Sequence, residues 1–142
     1  MKEMDMQTFF GKAIQKTPPK ETEIYELKIC KNNSFPFDKI KPHQIEALLK
    51  AESSSFYHKI TDPPVFYGMN SRFNIKRPFD CLCLVNVKAY LVFWFYKPNQ
   101  PKKFIKVRIN DFLEFKSKSK MKSFKEAEIL GVASEVVNIL KI

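Results

Sequence analysis

The spacing of apolar and polar positions changes repeatedly along this chain, and the changes outline alternating strands and helices. Residues 24–30 read as a short apolar strand, on which Glu26 and Lys28 stand two apart and so project from one face. A polar turn over 31–34 follows. Pro42 suits a first helical position, Ile40 can pack on Ile45 across the helix start, and Ile45, Leu48 and Leu49 form a buried stripe, which predicts a helix over 42–52. Residues 56–61 predict another short strand. Residues 81–85 and 89–96 predict a hairpin turning at Asn86, Val87 and Lys88, and 104–109 alternates apolar and basic residues as a half-exposed edge strand does. Ser123 with Glu126 predicts a capping box that opens a final amphipathic helix over 124–141. Its apolar face would carry Ile129, Leu130, Ala133, Val136, Val137 and Leu140.

Less regular segments complete the outline. Residues 1–20 read as a weakly structured arm or a short helix over 8–14, closed by Thr17, Pro18 and Pro19; residues 116–122 read as a basic linker. A long excursion over 63–78 interleaves Arg72, Lys76 and Arg77 with Phe66, Tyr67 and Phe73, and loops of this length inside a compact domain are usually functional or disordered. The expected architecture is α/β, a small mixed sheet flanked by helices. At 142 residues it is one domain, 1–142, with its C-terminal helix within 123–142.

Composition sharpens this picture. Fourteen Phe, five Tyr and one Trp predict an aromatic core. The longest apolar run, 89–96, has the length of a strand and falls well short of the roughly 20 residues of a membrane span. The polar start, with Lys2, Glu3 and Asp5, lacks a secretory signal pattern, so the expectation is a soluble, cytoplasmic protein. Cys30, Cys81 and Cys83 match no zinc spacing and read as buried reduced thiols. A net charge of +10 suits a polyanionic partner, because neutralising phosphates releases condensed counterions; it equally suits solubility or an anionic membrane surface.

The candidate chemistry centres on Glu26-Leu27-Lys28. A carboxylate and an ammonium on one strand face can share a metal-bound water: Glu26 and the Leu27 carbonyl supply oxygen ligands, and Lys28 orients the attacking water or neutralises developing charge. Beyond this strand stand Ser34-Phe35-Pro36-Phe37 and then His43-Gln44-Ile45-Glu46. The stretch 26–48 resembles the heart of the PD-(D/E)XK nuclease superfamily, most closely the RecU-type Holliday-junction resolvases. In these, an E-x-K strand is followed by a phenylalanine-proline turn and a helix opening with His-Gln. The resemblance implies a restriction-endonuclease-like core, a Mg²⁺ cofactor replaceable by Mn²⁺, cleavage of DNA phosphodiester bonds, and a homodimer that cuts four-way junctions symmetrically.

One element of that pattern is displaced. The family's metal-binding Asp normally precedes the E-x-K strand. Here the upstream acids Asp5, Glu21 and Glu23 do not suit the role, and Glu23 lies in the same strand as Glu26. Asp80, in Arg77-Pro78-Phe79-Asp80 before the strand 81–85, resembles the Pro-Asp half-motif, and Asp62 ends another candidate strand. The expectation is a permuted site in which Glu26, Leu27, Asp62 and Asp80 hold the metal, with Asp38 the alternative to Asp80. Gln44 either supports Glu26 or caps the helix start, and His43 should be exposed, contacting DNA or solvent. Arg72, Lys76, Arg77, Lys102 and Lys103 are the candidate phosphate contacts, and the dimer interface is expected at the 104–109 edge or the C-terminal helix. Alternatives are a restriction- or repair-type nuclease of the same fold, a catalytically inactive nucleic-acid-binding module, or a basic protein-interaction domain.

Overall fold

A computed structural model describes residues 3–53, 56–59, 81–84 and 86–139, with the side chains of Glu3, 56–59 and 81–84 left aside. The chain opens with α1 (Glu3–Lys16), longer than the expected short helix, because Met6, Phe10 and Ala13 form a buried stripe at helical spacing. Then come β1 (Glu23–Cys30), β2 (Ser34–Pro36), a 3₁₀ turn (Phe37–Lys39) and α2 (Pro42–Ser53). Strands β3 (Phe56–Lys59) and β4 (Cys81–Leu84) pair antiparallel with each other. After them run β5 (Lys88–Phe95), β6 (Lys102–Arg108), α3 (Ile109–Lys118), β7 (Ser123–Lys125), α4 (Glu126–Leu130) and β8 (Glu135–Ile139).

The principal sheet has the order β1-β5-β6-β8. β1 and β5 are parallel, with Glu26 opposite Leu91, whereas β5–β6 and β6–β8 are antiparallel. The fold is thus mixed α/β, a four-stranded sheet flanked by helices. Strand alternation sorts the core into two layers. On one face Ala89, Leu91, Phe93, Phe95, Ile105 and Val107 meet α2, α3, Phe35, Phe37 and Phe124. On the other, Tyr90, Val92, Trp94 and Phe104 meet Met6 and Phe10 of α1. The aromatic core is present on both faces. Ile40 and Ile45 join the first cluster together, as the expected packing across the start of α2 requires.

Several expectations are corrected. The hairpin over 81–96 does not form: β4 pairs with β3, while β5 lies between β1 and β6. Asn86 adopts the left-handed conformation of a tight turn (φ 54°), but the turn joins two different sheets. A run as continuously apolar as 89–95 belongs to a strand covered on both faces and paired on both sides. Likewise β6 is an interior strand, because the lysine that made it look half-exposed, Lys106, is buried against two carboxylates. Part of the basic linker is helical: Ile109 and Phe112 anchor α3 in the core, leaving Lys116 and Lys118 in its last turn.

The C-terminal helix over 124–141 is replaced by β7, α4 and β8. Its helical spacing is genuine only as far as Leu130; beyond the turn at Gly131, the β-branched Val136 and Val137 extend along β6. The expected capping box from Ser123 to Glu126 is displaced, and the Lys125 N–H instead donates to Glu128 Oε2 at 2.7 Å. Neither proposed dimer surface therefore exists in the expected form. Among the described residues no helix is long and apolar enough to cross a membrane.

Candidate active site

Glu26 and Lys28 occupy the face of β1 that also carries Ile24 and Cys30, the face toward α2. They are 29% and 14% exposed, and Lys28 Nζ lies 2.9 Å from Glu26 Oε1. The parallel crossover from β1 through α2 to β5 brings the helix start against this pair. There Gln44 joins both: its Nε2 donates to Glu26 Oε1 at 2.8 Å, and its Oε1 accepts from Lys28 Nζ at 2.9 Å.

The same Oε1 accepts the Lys41 backbone N–H at 3.1 Å. Gln44 thus both bonds the acid and caps the helix start. Two donors converging on its oxygen fix which end of the amide faces Glu26. Glu26 Oε1 receives both Lys28 and Gln44, which leaves Oε2 free of hydrogen bonds from the described residues.

The main chain of β1 adds a further oxygen. The Thr22 and Cys30 carbonyls accept from Lys88 and Tyr96, so the even-numbered carbonyls of β1 point to β5. Successive carbonyls of a strand alternate in direction. The Leu27 carbonyl accordingly points to the opposite edge, with which no described strand pairs. A carboxylate oxygen and a peptide carbonyl are the hard donors that Mg²⁺ prefers, so this edge fits part of such an ion's coordination shell.

Among the described residues no three His, Cys, Asp or Glu side chains come together as a metal site. Asp62 and Asp80 lie outside the described residues, as do Arg72, Lys76 and Arg77. Asp38 is exposed in the 3₁₀ turn, and His43 is exposed as expected. Glu23 stands an odd number of residues from Glu26 and therefore faces α1, on the opposite side of β1.

Lys102 and Lys103 already have partners within the chain. Lys102 Nζ sits 4.1 Å above the Phe9 ring, and Lys103 pairs with Glu126, which also takes Lys97 at 3.3 Å. Burial works against ionisation of Glu126, but the two ammonium groups outweigh it and hold its carboxyl below the usual value. Cys30 is a buried free thiol, its Sγ within 3.1 Å of the Asn32 carbonyl oxygen, and burial pushes its pKa up.

A second polar constellation has no signature in the sequence. Lys106 Nζ lies 2.7 Å from both Glu23 Oε2 and Glu135 Oε2, above the rings of Tyr90 (4.7 Å) and Tyr25 (5.4 Å). The Tyr25 hydroxyl donates to the same Glu23 oxygen. No local signal distinguishes a lysine aimed at solvent from one aimed at two acids brought from distant strands.

No known family, curated protein or solved structure matches this chain.

Proposed function

We propose that this protein is a metal-dependent endodeoxyribonuclease of the PD-(D/E)XK type, with a restriction-endonuclease-like core and branched DNA as its substrate. The observation that carries this reading is the convergence of Glu26, Lys28 and Gln44, three residues singled out by the motif and drawn from a strand and a helix separated in sequence. Glu26 Oε2 and the Leu27 carbonyl would hold Mg²⁺, or Mn²⁺ in its place, with Asp80 and Asp62 completing the set. The bound ion would polarise the phosphoryl oxygen and lower the pKa of the attacking water. Lys28 orients that water and offsets charge developing on phosphorus. Gln44 keeps Glu26 and Lys28 in register, and Arg72, Lys76 and Arg77 hold the DNA backbone. Two symmetric cuts in a four-way junction call for a homodimer.

A second reading, a nucleic-acid-binding module without activity, draws support from the closed Glu26–Lys28 pair, in which the lysine already binds the acid. Both are tested on a labelled four-way junction and a linear duplex with Mg²⁺ or Mn²⁺. Cleavage of the junction that disappears in Glu26→Ala and Lys28→Ala while binding persists supports the nuclease. Cleavage of the duplex alone moves the assignment to a restriction- or repair-type enzyme, and binding without cleavage of either substrate favours the inactive module.

A further inference from the structure

We propose that β8 is a strap that lifts from the sheet as a unit, pinned in its closed position by the Glu135–Lys106 ion pair. This inference is independent of the nuclease reading. Among the described strands β8 pairs with β6 alone, through a five-residue register from Lys106–Glu135 to Lys102–Ile139. Its residues are exposed or half-buried throughout, whereas β5 is buried along almost its whole length. Only Val137 and Ile139 reach the α1-side cluster. Alongside the strap runs a half-open cleft of about 430 Å³, lined on one side by Thr17, Pro18 and Pro19 and on the other by Val136, Val137 and Asn138, with Lys106 among its walls. One flank of β8 is thus open to this cleft, and segments with few buried apolar contacts open at lower free energy than the whole fold.

The ion pairs are arranged to permit such opening. Lys106 is 2% exposed and has two carboxylate partners of different character: Glu23 on β1 is 10% exposed, and Glu135 on β8 is 55% exposed. Lifting β8 removes Glu135 but leaves Lys106 paired with Glu23, so the buried ammonium keeps a counter-charge. The penalty for stranding a buried charge, which otherwise makes breaking such a pair prohibitive, is avoided. The turn at Gly131 and Val132 and the bend at Ser134 provide the hinge, with the Ser134 N–H bonded to the Lys106 carbonyl at 2.8 Å.

Native-state hydrogen exchange on the full chain, wild type against Glu135→Gln, tests this. The exposed position of Glu135 makes the variant one that folds. The expected result is faster exchange for the bonded amides of 135–139 than for those of β5 in the wild type. The variant should accelerate the β8 amides further, by about tenfold, and leave the β5 and α1 amides unchanged. Equal protection of β8 and β5 in the wild type, no acceleration in the variant, or an acceleration spread uniformly over β5, β6 and β8 would each overturn the proposal.

Discussion

Gln44 Nε2 donates to Glu26 Oε1 at 2.8 Å, so an amide in the first turn of α2 holds the acid of β1. The cap and the bond to Glu26 are made by opposite ends of that amide, which allows them to be separated. Glu in place of Gln still accepts the Lys41 N–H, because the third position of a capping box takes either residue. It cannot donate to Glu26, and it sets a second carboxylate against the first. We predict that Gln44→Glu lowers junction cleavage by about 10- to 100-fold, the usual cost of losing a group that orients a metal ligand. Urea denaturation should show stability within about 1 kcal/mol of wild type, since the pair is partly exposed. Unchanged cleavage would remove Gln44 from the site.

The local half of the site was legible in the sequence because strand parity and a helix start are local properties. Glu26 and Lys28 follow from period two, and Gln44 from its place after Pro42. Partners set by tertiary pairing were not legible: nothing in the apolar run 89–95 says that it adds in parallel to β1. The alternation at 104–109 resembles that of an edge because a lysine opposite distant acids looks, in sequence, like a lysine facing water. Residues 129–137 match a helical face by spacing, and the contrary signal is the β-branched pair Val136 and Val137, which extends along β6.

Lys106 should be the charged residue on which stability depends most. Removing it leaves Glu23 buried beside Glu135 without a cation, and breaking a buried pair from one side costs about 3–5 kcal/mol. We predict a loss of that size for Lys106→Met in chemical denaturation. Adding Glu23→Gln should recover part of it by removing the stranded charge. A double variant no more stable than the single one would show that lost packing, rather than the unpaired acid, dominates.

The same cluster sets the response to alkali. Burial favours the neutral Lys106 amine, but the bonds from Glu135 and Glu23 outweigh it and hold the ammonium above the ordinary lysine value. Tyr25 is pushed up by burial and then by its bond to Glu23, and Tyr90 by burial. All three bind protons more tightly in the folded state, so their contribution is complete below the unfolded-state values near pH 10 and is lost as pH rises through the folded ones. The melting temperature should therefore fall from about pH 10 upward. Tyr25→Phe should flatten that fall, and an unaltered slope in the variant would exclude Tyr25 as a source.

Phe124 tests how the α2-side core is held together. It is 1% exposed, and its ring lies 5.0 Å from Phe37, 5.3 Å from Phe93, 5.6 Å from both Phe35 and Phe115, and 6.1 Å from Phe112. It sits on β7, the short strand that pairs with β2, and so joins that pair to β5 and α3. Truncation leaves a void facing several rigid rings from separate elements, which cannot all collapse inward. We predict that Phe124→Ala costs about 3–5 kcal/mol in urea or thermal unfolding. Phe9 provides the comparison: it is only half-buried on the opposite face, with one edge-to-face contact to Trp94 and the Lys102 ammonium above it. Phe9→Ala should cost distinctly less, and equal losses at the two positions would contradict the assignment of Phe124 as the centre of that layer.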